Sequence, residues 1–262
     1  ALLDTLLQVS EGRYAVGQAA QQDVIKAQTE LSMLELQQRR LAQERLALET
    51  ELNTLRSRPA GAEVGRPDDL ELVTFDHPLG SLLETAQVQS PMLDRDRRLI
   101  GRADAAVALA HKDAAPDFTI AAGYAYSGAM PRMFEVRVDV NVPFRQAQRA
   151  AAIAEQAATA SAARADLDAD RLALASALQQ QHGASATALE LARLYRETVL
   201  PQARLALESS IASYESGSID FLSVLTNFSS VLQYEMDYYD ELATFHVATS
   251  QIEEMTGAPL VH

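Results

Sequence analysis

A long-range repeat constrains this chain more than any other feature. Tyr14-Ala15-Val16-Gly17 and Tyr214-Glu215-Ser216-Gly217 lie 200 residues apart, and the register continues without gaps. Val24 matches Val224, Leu31 falls opposite Val231, and Pro59 falls on Pro259. Each Tyr-x-x-Gly follows a helical run and precedes another helix of about forty residues. Glycine at such a junction supplies the backbone freedom that a helix-to-helix turn demands. One Tyr-x-x-Gly says little. Two in the same context, with matching helices after them, point to a duplicated helix–turn–helix unit. The bland alternative is chance likeness between two amphipathic helices.

The helix after the first turn is predicted over about 19–55. Val24, Ala27, Leu31, Leu34, Gln38, Leu41, Arg45, Leu48, Leu52 and Leu55 alternate by three and four. That is a coiled-coil seam with two polar interruptions. The last helix, about 219–255, shows Phe221, Leu225, Phe228, Leu232, Met236, Tyr239, Leu242, Phe245, Ile252 and Met255 at similar spacing. It carries seven acidic residues from Asp220 to Glu254 and no Lys or Arg. Such a run reads either as a solvated face or as a cation-favouring wall. A third helix is predicted over roughly 145–213, with a break near Gly183 or a kink at Pro201. Its length, about 100 Å at about 1.5 Å per residue, exceeds what a compact globule of this size needs.

Residues 56–80 hold Pro59, Gly61, Gly65, Pro67 and Pro78 and read as a loop, with one short extended piece at Leu70–Phe75. Ser81 is expected to open a helix ending before Pro116, with a second helical start at Pro91. Over 117–142 the period changes to two. Phe118, Ile120, Ala122 and Tyr124 alternate with Thr119, Ala121, Gly123 and Ala125. After Ser127-Gly128, Phe134, Val136, Val138, Val140 and Val142 alternate with Glu135, Arg137, Asp139 and Asn141. The pattern is a β-hairpin with one apolar face and one polar or small face. That apolar face covers a core in a soluble protein, or faces lipid in a membrane barrel whose lumen takes the polar face. Pro143 and the long helix that follows at once favour the second reading.

Composition removes several function classes. A net charge of −14 argues against a nucleic-acid partner. There is no Cys, so neither a disulfide framework nor a thiolate site is available. No segment reads as a membrane-spanning helix. His77, His111, His182, His246 and His262 show no ligand spacing, and His246 reads as a core or interface residue on the last helix. Phosphate-cradling loops, nucleophile elbows and zinc-protease motifs are missing, so no catalytic residue and no cofactor are expected.

The ordered motifs resemble the TolC-type outer-membrane efflux protein family. They are Ser90-Pro91-Met92-Leu93 ahead of a helix, Pro116-Asp117 opening the hairpin and Val140-Asn141-Val142-Pro143-Phe144 closing it. Leu200-Pro201-Gln202-Ala203 and the second Tyr-x-x-Gly follow, then a Leu/Glu-rich helix ending at Gly257. The resemblance covers essentially the whole chain. It implies a mainly α fold of long antiparallel coiled-coil helices, one β-hairpin (half of a protomer's contribution to a barrel) and a small equatorial region. The expected layout is 1–57 tip turn and ascending helix, 58–80 equatorial linker, 81–116 helix, and 117–143 barrel hairpin. It continues with 144–213 descending helix, 214–218 tip turn, 219–257 returning helix and 258–262 tail.

By the same resemblance the native protein is a homotrimeric passive exit duct in the outer membrane. Its partners are a periplasmic adaptor, an inner-membrane pump and outer-membrane lipid. Tyr14, Gly17, Tyr214 and Gly217 mark the tip that meets the adaptor. The family's gate Asp, six residues after the Gly, is Asp23 in the first repeat and Ser223 in the second. Its basic partner is replaced by Ile219, which makes Asp220 a substitute gate candidate. Helix capping is the simpler role for both aspartates. Glu135, Arg137, Asp139 and Asn141 become lumen-facing candidates. The stretch around Met130-Pro131-Arg132-Met133 is similar to channels paired with heavy-metal pumps. Met130 and Met133 are soft enough for Cu(I), but they read as packing or loop residues, and no metal site is expected. Ala1 opens in mid-helix, which reads as an N-terminal truncation. A single hairpin is then expected to stay out of a twelve-stranded barrel and to leave the fragment soluble. The rival readings are a periplasmic adaptor, which should carry a lipoyl-like β module, and a structural coiled coil, which leaves the alternating strands unexplained.

Overall fold

The computed structural model describes residues 2–260 except 18, 67, 74, 114, 126, 127, 129–132 and 143–145. In chain order it contains α1 (Leu2–Ala15), α2 (Gln21–Leu55), α3 (Leu79–Gln89), α4 (Pro91–Asp113), β1 (Asp117–Ala125) and β2 (Met133–Asn141). Then come α5 (Gln146–Leu194), a π-helical turn (Tyr195–Val199), α6 (Leu200–Glu215) and α7 (Phe221–Thr256). Leu, Ala, Gln, Glu and Arg dominate the helices because their side chains lose little freedom there. Pro91 starts α4 because its fixed φ suits a first helical position, while Ser90 before it is extended (ψ 122°).

Three local expectations are corrected. α5 runs straight through Gly183, and the irregularity falls just before Pro201. There the Leu200 amide donates to the Tyr195 carbonyl, five residues back. Pro201 has no N–H, and its ring would strike the carbonyl of Glu197 in a regular helix, so one wide turn absorbs both defects. Residues 70–73 and 75 join no ladder, and Thr74 of the expected extended piece lies outside the described residues. α3 opens at Leu79, directly after Pro78, two residues ahead of Ser81.

The chain divides into two units. The first comprises Ala1–Thr74 with Thr187–Phe245, the second Phe75–Ala186 with His246–His262. The core of the first joins Leu3 and Leu6 of α1, Ala27 of α2, Leu207 and Tyr214 of α6, and Phe221, Val224, Leu225, Phe228 and Val231 of α7. Burying side chains of this size stabilises by roughly 1.5–3 kcal/mol each. Glu30 meets Ser229 and Gln37 meets Met236, both across 199 positions. The repeat-equivalent helices α2 and α7 thus lie parallel and nearly in register. On the seam predicted for α2, Ala27 is buried and Val24, Leu31 and Leu34 are half-buried. Leu41, Leu48, Leu52 and Leu55 are exposed, Leu55 to 77%. On α7 the predicted seam residues Met236 and Tyr239 are exposed as well, because a straight helix of 3.6 residues per turn drifts off a 3.5-residue stripe.

The second unit is built on α3, α4, the first four-fifths of α5 and the end of α7. Leu82, Ala86, Leu93, Leu167, Leu174, Leu178 and Ile252 form its core. Gly257 closes α7 at φ 71°, where an added Cβ would meet the Gln89 carbonyl at 2.7 Å. The His182 ring bonds the His77 carbonyl, the His77 ring bonds the Leu260 carbonyl, and the Leu260 amide donates to Glu253. This relay ties the tail to the linker before α3.

The repeat is visible in fine geometry. Ser10 and Ser210 each donate to the carbonyl three residues back, at 2.8 and 2.7 Å. Ser57, the one non-glycine residue with positive φ among those described, is the counterpart of Gly257. Asn53 donates to the Ala60 carbonyl as Glu253 accepts from the Leu260 amide, one pair 200 residues on from the other.

Candidate functional site: paired turns and a two-faced hairpin

The two Tyr-x-x-Gly segments form the same turn. Gly17 and Gly217 adopt φ 73° and 76°, a region costly for residues with a Cβ, and each donates its amide at 2.9 Å to the carbonyl of the tyrosine three back. Both turns lie in the first unit and touch. The Arg13 guanidinium donates from Nη1 to the Tyr214 carbonyl at 2.6 Å, and its carbon sits 4.6 Å from the Tyr214 ring centroid. It also passes over Gly217, where an added Cβ would meet Nη2 at 3.5 Å.

Equivalent turns hold their tyrosines differently. Tyr214 is 5% exposed and packs edge-on against Phe221, with ring centroids 5.7 Å apart. Its hydroxyl is buried and finds no partner among the described residues. Tyr14 is 47% exposed and Val16 69%. The first turn therefore presents apolar surface at its tip, whereas the second has turned its tyrosine into the core. Motif reading alone misses Arg13. The available signal was the broken repeat, since Arg13 stands opposite Ser213 immediately before the paired tyrosines.

Of the two aspartates, Asp220 caps α7. Its carboxylate accepts from the Ser223 amide at 3.2 Å and from the Ser223 hydroxyl. Those bonds hold the Asp220 carboxyl below the usual carboxylate range, with a smaller contribution from Lys26. Asp23 is half-buried in the first turn of α2. No hydrogen bond joins the two among the described contacts.

The hairpin belongs to the second unit. β1 and β2 pair antiparallel with Asp117 opposite Asn141 and Ala125 opposite Met133. This register places Phe118/Val140, Ile120/Val138, Ala122/Val136 and Tyr124/Phe134 on one face. Thr119/Asp139, Ala121/Arg137 and Gly123/Glu135 share the other, with Asn141. The lumen-facing candidates Glu135, Arg137, Asp139 and Asn141 thus occupy one face, and Arg137 and Asp139 pair at 2.8 Å. Every residue of both strands is exposed, Phe134 to 80%, so nothing described in this chain covers the apolar face. Met133 sits on the polar face; Met130, Pro131 and Arg132 lie outside the described residues, as do Ser127, Pro143, Phe144 and His262. Among the described residues no cluster of three metal-ligating side chains occurs, and no helix is long and apolar enough to cross a membrane.

No protein-family profile matches the chain, and no curated protein matches it in sequence. Solved structures do. The outer membrane protein VceC of Vibrio cholerae superposes with a TM-score of 0.81 at 16% identity, over 99% of this chain and 64% of VceC. The outer-membrane channel OprN gives 0.78 at 21% identity, over 98% and 60%. The open-state MtrE channel of Neisseria gonorrhoeae gives 0.72 at 17%, over 99% and 62%. The chain thus spans less than two-thirds of the length of each. Its paired helical hairpins and single two-faced β-hairpin are the fold of the TolC-type outer-membrane efflux channels.

Proposed function

We propose that the full-length protein is the outer-membrane exit duct of a tripartite efflux system, passing drugs or metal ions from periplasm to exterior without chemistry of its own. The hairpin carries this reading. Its apolar face lacks any core, and about 25 cal/mol per Å² of such surface is lost while it stays in water. Lipid removes that penalty on the apolar side, and a water-filled lumen suits Glu135, Arg137, Asp139 and Asn141 on the other. A two-stranded sheet leaves both edges open, which hydrocarbon does not tolerate. Strands from further copies, three protomers in all, close the ring. Two edge strands with this alternation have no place in an adaptor's lipoyl-like module or in a plain coiled coil.

The paired turns are the end that meets the adaptor and, through it, the inner-membrane pump. Gly17 and Gly217 shape the turns, Tyr14 offers the aromatic contact, and Tyr214 holds the second turn from within. Asp23 is the gate candidate left with a free role, because Asp220 is engaged as a cap. The test is to express the full-length gene in a host lacking its own channel and measure drug and metal tolerance. Restored tolerance to at least one compound is the expected result; unchanged tolerance to every compound sinks the proposal.

A further inference from the structure

The seam between α4 and α5 contains a group that packing does not explain. Leu93, Ile100 and Ala103 face it from α4, and Leu167, Leu174 and Leu178 from α5. Between them, at a position where the spacing calls for a small or apolar residue, stands Asp96, 4% exposed. Its Oδ1 accepts from Arg95 at 2.8 Å, but Oδ2 is buried and has no partner among the described residues. An orphaned carboxylate oxygen there is destabilising unless something shares it. Asp170 of α5 is drawn to the same place. Arg95 Nη2 lies 3.4 Å from its Oδ2 and 2.8 Å from Asp96 Oδ1, so one guanidinium nitrogen bridges the two carboxylates. Farther along the antiparallel seam, Arg164 and Asp104 pair at 2.5 Å, so the register is pinned on both sides.

We propose that Asp96 and Asp170 form a proton-binding site in the α4–α5 seam, one proton held between the two carboxyls and beside Arg95. The proton comes from solvent through Asp170, whose side chain is about a third exposed. It sits on Asp170 and is donated to Asp96 Oδ2, and the net charge of the three side chains goes from −1 to zero. A metal ion does not fit as well: Arg95 already supplies the cation, and no third ligand stands near among the described residues.

The surrounding charges agree. On α4, Asp94 is held by Arg97 and Arg98. On α5, Asp168 pairs with Arg171, and Asp166 adds negative charge beside Asp170. α3 brings Glu84 to this unit, and the end of α7 brings His246, Glu253 and Glu254. The Asp170 carboxyl is pushed above its ordinary range, first by its hydrogen bond to Asp96, then by desolvation and the charge of Asp96, with Arg95 opposing. A carboxyl raised in the folded state contributes stability in full below its unfolded value and loses it as pH rises through the folded value. Acid therefore tightens this seam, the reverse of what an ordinary ion pair does. The inference is independent of the channel reading.

The test has two parts. In the unmodified chain, carboxyl carbon NMR of labelled aspartate is expected to show one of this pair titrating above the ordinary Asp range. Asp96→Asn should return the Asp170 midpoint toward that range. Asp170→Asn supplies a permanent N–H donor to Asp96 and imitates the protonated state. It should melt higher than the parent near neutral pH, with the gap closing as pH falls to about 4. Two carboxyls that both titrate in the ordinary range, or a melting gap constant across pH, overturn the proposal.

Discussion

Replacing Arg13 with alanine tests whether one side chain holds the two turns together. The substitution removes the 2.6 Å bond to the Tyr214 carbonyl and the contact 4.6 Å from the Tyr214 ring. A hydrogen bond from a charged donor is worth about 1.5–3 kcal/mol, and an exposed cation–π contact about 0.5–1 kcal/mol. The lower ends apply. Arg13 is half-buried, and the Tyr214 carbonyl keeps the Gly217 amide as a second partner, so no acceptor is orphaned. The expected loss is about 2 kcal/mol, some 20- to 30-fold in the opening equilibrium of the second turn. Amide hydrogen exchange at Gly217 and Ser218 reads that opening directly. Arg13→Ala should speed their exchange by about that factor while amides in the middle of α5 keep their rates. Arg13→Lys keeps the charge without the planar fork and should recover less than half of the loss. Unchanged exchange at Gly217 in Arg13→Ala refutes the reasoning, as does a rate increase spread evenly over the chain.

Three more outcomes follow from the geometry. Gly17→Ala and Gly257→Ala share positive φ, but only Gly257 also faces a carbonyl at 2.7 Å; the first should cost about 1–2 kcal/mol in denaturant unfolding and the second clearly more. Tyr214→Phe removes a buried hydroxyl without a partner among the described residues, so the unfolding free energy from denaturant melts should hold or rise, by up to about 1 kcal/mol, although a motif residue has been changed. Asp220→Ala should lower the melting temperature at neutral pH. The folded carboxyl is depressed, so its contribution is present above the unfolded value and disappears as pH falls through the folded one. The difference from the parent should therefore vanish in acid.

Local chemistry made much of this molecule legible. Alternation over 117–142 is a statement about which side of a pleat each residue takes, so the two-faced hairpin and its polar set were readable before any contact was known. The same holds for the turns, because Gly17 and Gly217 are needed wherever a helix must reverse at positive φ. The π-turn was half legible: Pro201 announced a defect, but whether a helix kinks or widens depends on what packs beside it. Here Tyr195 reaches Asp237 at 3.3 Å across to α7.

Sequence by itself determined the periods, and with them the long helices, the duplicated turn and the amphipathic strands, because side-chain spacing is set by backbone geometry within a few residues. Tertiary structure decided which copy of each feature is used. It buried Tyr214 and left Tyr14 outside, placed Arg13 on the second turn, left six of the eight α2 leucines exposed, and set Asp96 against Asp170. Those outcomes depend on neighbours more than sixty residues away, and no local period encodes which neighbour arrives.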